Sequence, residues 1–256
     1  FKVFYIRRFK RIFPAYYFML LCFALAACLL SSDIPARWLE ALAAGTYIAN
    51  WMRAFDWLPM PYLGHTWSLS IEEQYYLFWT LMFLGLLSLL KLKPRLIFAV
   101  SCIIVLAVLW RYQLASEKVA VARLFNGLDT RADALLLGCL LALVELLLKP
   151  FESPRITQGL QWASYPIFLG LAWVSSQNLY FSHEYYAWGA ITCCCLSTLL
   201  IASLVSPNNR TWLRRFLEWP LFIGVGRICY GLYLWHFPII QFLSLIHISE
   251  PTRRSD

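Results

Sequence analysis

Residues 64–90 read GHTWSLSIEEQYYLFWTLMFLGLLSLL. From Gln74 to Leu90 the run has the length and character of a helix that enters a bilayer, since about 20 mostly apolar residues, with roughly 17–25 tolerated, cross the hydrocarbon core. The residues just ahead of it are of another kind: His65, Glu72 and Glu73 place an imidazole and two adjacent carboxylates at the mouth of that helix. Ionisable groups at such a place are costly to hold and are usually kept for a function. A His accepts a proton near neutral pH, and a carboxylate orients it or holds a cation. The chemistry of the chain is expected here.

The whole composition agrees with a membrane setting. The chain is 61% hydrophobic and 14% charged, with a mean hydropathy of +0.61, whereas a soluble domain is about half apolar and a quarter charged. Twelve Trp, fourteen Tyr and eighteen Phe add the aromatics that favour the membrane–water boundary. The net charge of +8 sits in short basic segments between apolar runs, which argues against nucleic acid as a partner and for membrane lipid. The eight cysteines lie in or beside apolar segments, and adjacent Cys193, Cys194 and Cys195 lack metal-ligand spacing. No metal site is expected, and the cysteines read as small apolar residues.

The pattern predicts an all-α, polytopic bundle of transmembrane helices with about seven spans, near Ala15–Leu30, Gln74–Leu90, Leu96–Trp110, Ala132–Leu148, Leu160–Ser176, Ala187–Val205 and Pro220–Leu243. Trp38–Trp51 is a shorter, Gly-containing apolar stretch, expected as a re-entrant or interfacial helix. Basic clusters at Lys2–Arg11, Lys91–Arg95, Lys149–Arg155 and Arg210–Arg215 fall on alternate connections, so they share one side, the cytoplasmic one. Residues 1–242 are expected as one integral membrane domain.

Four blocks carry candidate chemistry. In the first, Arg7 and Arg11 lie at i, i+4 and share a helix face. That face either grips a phosphorylated cofactor such as coenzyme A or binds anionic headgroups. In the second, the His65–Tyr76 block, Ser68 is placed to cap the coming helix, and Glu72 and Glu73 in a first turn would favour its dipole. Trp67 and Tyr76 suit an interfacial belt. In the third, Arg131 and Asp133 either pair at a helix mouth or line a polar cavity shared with His65. In the fourth, His236 lies nine residues past Arg227, about 13 Å along a helix, where it either makes a structural hydrogen bond or handles a proton. His183 reads as a solvated loop residue.

Taken together, the four blocks resemble the membrane-bound acyltransferase family 3, the O-antigen and exopolysaccharide O-acetyltransferase type. Its patterns FYxRRxxRIxPxYY, GHxWSLSxEEQFYLxWP, RxDALLLGxLLA and IGxISYxLYLWHxP are matched in order at Phe4–Tyr17, Gly64–Trp79, Arg131–Ala142 and Ile223–Pro238. Cys229 and Thr80 stand where the family commonly has Ser and Pro. The resemblance implies about ten spans, two of them ahead of Phe1, the first carrying an Arg and a His central to catalysis. It implies transfer of an acyl group, often acetyl, from cytoplasmic acyl-CoA to a hydroxyl of a cell-envelope carbohydrate or lipid-linked glycan, in the bacterial inner membrane and with no bound cofactor. Mapped residue by residue, it places His65, Trp67, Ser68, Glu72 and Glu73 in the catalytic motif. Arg7, Arg8, Arg11, Arg131, Asp133, His236 and Tyr76 are then substrate-binding. The competing reading is a transporter or channel with a polar intramembrane pathway, although no inverted repeat is visible. Leu243–Arg253, LSLIHISEPTR, does not resemble the family and reads like a translated sequencing adapter, so 243–256 is expected to be non-native.

Overall fold

A computed structural model of the chain describes residues 2–31, 33–90, 93–177 and 181–248. Among them there are helices and no strands. The helices are α1 (Lys2–Leu30), α2 (Ile34–Gly45), α3 (Ala49–Ala54), α4 (Trp67–Leu89), α5 (Lys93–Ser116), α6 (Val121–Asn126), α7 (Ala132–Leu148), α8 (Pro154–Ser176), α9 (Ala190–Val205), α10 (Trp212–Leu217) and α11 (Pro220–Ile248). Lys2–Leu29, Pro94–Ser116 and Tyr185–Val205 are both long and apolar enough to cross a membrane. The chain is an integral membrane protein. Large apolar side chains such as Leu29, Leu89 and Leu146 stand exposed along the helices, as lipid-facing residues do.

The contacts divide the chain into two compact units, Phe1–Ile71 with Ile223–Asp256, and Glu72–Phe222. In the first, α2 begins at Asp33, whose carboxylate accepts from the Ala36 N–H (3.2 Å). It runs back along α1. The Tyr16 and Tyr17 hydroxyls donate to the carbonyls of Ala44 and Gly45, each at 2.9 Å. Tyr16 lies at the midpoint of α1, so the end of α2 returns to the level of that midpoint. Tyr47, in a left-handed conformation (φ 56°), then turns the chain into α3. The expected Trp38–Trp51 stretch is thus two short helices that fold back, as a re-entrant segment does. Without a hydrophobic drive between helices in lipid, close approach depends on small residues. Ala43, Ala44 and Ala49 supply them, packed against Met19, Leu20 and Phe23.

In the second unit α5 packs on α7, α7 on α9, and α8 on α9. Short connections make successive helices antiparallel. The ends of these helices that carry Arg95, Lys149 and Arg155 lie opposite the ends that carry Arg111, Asp133 and Tyr186. Here Tyr75, Leu96, Val100, Ile104, Leu136 and Leu143 form the core.

Several expectations need correction. α1 starts at Lys2 rather than Ala15, so the basic block is helical. α4 starts at Trp67 because the 3₁₀ turn Gly64–Thr66 leads straight into it. Ser68 is therefore inside the helix rather than its cap, and Glu72 and Glu73 fall in the second turn. The dipole effect is confined to the first turn, so it does not account for this pair. The helix also runs unbroken through Thr80, whose hydroxyl donates to the Tyr76 carbonyl (2.7 Å). His183 is half-buried, not solvated, and its Nε2 donates to the Val119 carbonyl (2.9 Å). α11 continues through Ile248, and 249–256 of the expected tail lie outside the described residues.

Candidate functional site

The first unit gathers its polar side chains around the turn Gly64–Thr66. His65 is 6% exposed, and neither ring nitrogen has a hydrogen-bond partner among the described residues. Burial, then the neighbouring His236, lowers its pKa to about 4. The imidazole is neutral at physiological pH.

α11 brings three residues to this turn. The Tyr233 hydroxyl donates to the His65 carbonyl (2.6 Å). Ser68 Oγ is in close contact with the same hydroxyl and lies 3.5 Å from the same carbonyl, so it faces the backbone of His65 and not its ring. The Ser68–His65 side-chain pair of a nucleophile and its base is not formed. The His236 ring stands 5.6 Å from that of His65, centroid to centroid. Its Nδ1 donates to the Tyr233 carbonyl (2.7 Å); a carbonyl only accepts, so Nδ1 carries a proton, and in the neutral ring Nε2 keeps a lone pair. Phe237 covers another face of His65, with ring centroids 5.3 Å apart. One turn before Tyr233, the Tyr230 hydroxyl donates to the Ile12 carbonyl (3.1 Å), which ties α11 to α1.

Two acidic and basic residues that the sequence reading passed over shape this turn. Glu40, fully buried, accepts from the N–H groups of Tyr62 (2.7 Å) and Leu63 (2.5 Å) and from Arg37 (2.9 Å). Burial raises its pKa above the ordinary carboxyl value, against the pull of those three donors. Arg53 is half-buried and lies against Gly64, where an added Cβ would collide with its Nη1. Both had a legible signal: each is a charge in a mostly apolar stretch, Glu40 three residues past Arg37 and Arg53 three residues before Asp56.

Arg7 and Arg11 are exposed and Arg8 half-buried on the first turns of α1. Trp67 is half-buried beside the turn, as are Glu72, Glu73 and Tyr76 further along α4.

Arg131 and Asp133 belong to the second unit and do not pair with each other. The Arg131 Nε donates to the Phe125 carbonyl (3.1 Å), with the guanidinium over the Phe125 ring. Asp133 pairs instead with Arg111 (2.6 Å), both buried. Arg111 also donates to the carbonyls of Thr130 (3.0 Å) and Tyr186 (2.9 Å), so it ties α5, α7 and the start of the α9 region. Beside it, Arg123 and Trp110 hold Asp129 and lower its pKa although burial acts the other way. This cluster is a structural knot, and Arg111, a lone cation at the end of a span, was the residue that the sequence left unread.

Comparison with known proteins adds the family. The profile described as "Acyltransferase domain", of acyltransferase family 3, matches residues 1–248. A protein of Staphylococcus aureus (strain COL) named "Putative O-acetyltransferase SACOL0978" is 30% identical over 268 residues, 96% of this chain and 42% of that protein. The peptidoglycan O-acetyltransferase OatA of Listeria monocytogenes serovar 1/2a (strain ATCC BAA-679 / EGD-e) is 30% identical over 270 residues, 98% of this chain and 42% of its own length. The chain therefore spans about two fifths of the length of these relatives. No solved structure matches. A profile match over nearly the whole chain, with a buried imidazole at the heart of the matched motif, establishes that the chain belongs to the membrane acyltransferase family 3.

Proposed function

We propose that the protein containing this chain transfers an acetyl group from acetyl-CoA to a hydroxyl of a cell-wall carbohydrate, at the turn that carries His65. The observation that supports it most is the proximity of two imidazoles, buried His65 and, 5.6 Å away, His236, whose Nδ1 is tied to a backbone carbonyl so that Nε2 is the nitrogen left to take a proton, in a chain of this family. Arg7, Arg8 and Arg11 hold the phosphates of the donor on the cytoplasmic end of α1. Along α1, Arg11 and Arg7 are about 7.5 and 13.5 Å from the level of Tyr16, at 1.5 Å per residue. The donor's extended arm then carries its thioester to the level of the His65 turn. The peptidoglycan named for the Listeria relative makes a glycan the favoured acceptor. Trp67 and Ser68 line the acceptor side, Glu72, Glu73 and Tyr76 continue the same motif along α4, and Arg131 and Asp133 act by holding the second unit in shape.

The test is radiolabelled acetyl-CoA with peptidoglycan fragments, using the full protein in liposomes. Label appearing on the glycan, and lost in His236→Ala, supports the reading. Passage of unmodified glycan across the membrane, without CoA dependence, would support the transporter instead.

A further inference from the structure

The reading above leaves Arg53 without a task. Arg53 is half-buried and makes no hydrogen bond or ion pair among the described residues. A guanidinium drawn partly out of water is most often paired with a carboxylate or phosphate. Glu40, the buried acid of the same unit, is committed to Arg37 and two backbone amides. Among the described residues no ion pair or hydrogen bond joins a carboxylate to Arg53 or to His65. The guanidinium is held against Gly64, one residue from His65, and that contact exists because position 64 has no Cβ. A fixed positive charge beside a neutral imidazole, with no counter-ion, is arranged for a negative charge that arrives with the substrate.

We infer that Arg53 is a catalytic residue that stabilises the oxyanion formed on the acyl carbonyl during transfer. The inference rests on the acyl-transfer reading. The acceptor oxygen bonds to the acyl carbon while the carbonyl π pair moves onto the carbonyl oxygen, which becomes the anion that Arg53 faces. The hydroxyl proton passes to an imidazole, for which His236 Nε2 is the open lone pair in this chain. When the carbonyl re-forms, the carbon–sulfur bond breaks and the departing CoA thiolate takes that proton. Arg53 interacts with charge that develops in the transition state, so its removal acts on kcat rather than on donor binding.

The experiment is steady-state acetyl transfer by the full protein in liposomes, comparing Arg53→Gln, Arg53→Lys and Gly64→Ala, each checked for wild-type thermal unfolding. Loss of one oxyanion donor lowers kcat by about 10²–10³-fold. Arg53→Gln is expected to show this with the KM for acetyl-CoA changed by less than about threefold. Arg53→Lys keeps the charge and recovers part of the rate, added guanidinium ion restores part of the activity of Arg53→Gln, and Gly64→Ala, which displaces the guanidinium, repeats the loss. Should Arg53→Gln not fold, the kcat and KM of Arg53→Lys and Gly64→Ala decide. An unchanged kcat overturns the assignment, and so does a raised KM with kcat intact, which would make Arg53 a ground-state contact. A wild-type protein that transfers no label from acetyl-CoA overturns the function itself and this role with it, and is distinguishable because it needs no variant.

Discussion

Glu40 is the carboxylate on which the His65 turn depends, through its acceptor oxygens more than its charge. Oε1 takes the N–H groups of both Tyr62 and Leu63, and Oε2 takes Arg37. In Glu40→Ala the two amides lose their acceptor inside the protein. A buried polar group left unsatisfied costs about 1–3 kcal/mol, so the pair costs on the order of 2–6 kcal/mol. For a chain of this size about 1 kcal/mol moves Tm by roughly 2–4 °C, which puts the loss on the order of 10 °C. Glu40→Gln keeps an oxygen for both amides but turns its NH2 group toward the Arg37 guanidinium, which then has no acceptor there, so it should fall between wild type and Glu40→Ala. Thermal unfolding of the purified protein in detergent, with Leu42→Ala as an exposed control, reads both. A Glu40→Ala protein that melts within 1–2 °C of wild type (less than about 1 kcal/mol) would refute the reasoning. A Glu40→Gln loss as large as that of Ala would show that the charge, and not the acceptor, holds the turn.

Three further outcomes follow from the geometry. Asp133→Ala strands buried Arg111 and should cost about 3–5 kcal/mol, while Arg111→Met with Asp133→Leu should cost less than the sum of the single changes; a double-mutant cycle by thermal unfolding reads the coupling. Asp129 has a folded pKa below its ordinary 3.8, so its contribution is present above that pH and lost as pH falls through the folded value. Asp129→Asn should lower stability by about 1 kcal/mol at neutral pH for a partly exposed pair, and should flatten the acid end of a melting profile taken from pH 6 to 3 (spanning about the ordinary Asp pKa). Arg7→Gln with Arg11→Gln should raise the KM for acetyl-CoA by about tenfold, roughly 1.4 kcal/mol of binding, with kcat little changed; initial rates against donor concentration check it.

The sequence by itself determined the class of the molecule. Apolar runs of spanning length and basic segments on alternate connections require helices in a bilayer, because only helices or closed barrels satisfy the backbone there. The four motif blocks were legible in order, and the match over residues 1–248 bears out the family. Chain-local patterns went wrong at helix starts, where the 3₁₀ turn at Gly64 and the helical basic block extended α4 and α1 beyond their apolar runs. What only the tertiary structure decided is which polar groups meet. Asp133 takes Arg111 rather than nearby Arg131, Glu40 reaches two amides more than twenty residues away, and Tyr233 and His236 come to His65 from the far end of the chain. In the first unit these partners are set by the fold-back of α2 and the tie of α11 to α1, and in the second by the packing of α5 on α7. No residue spacing encodes such long-range contacts, because a buried charge records that it needs a partner and not which one.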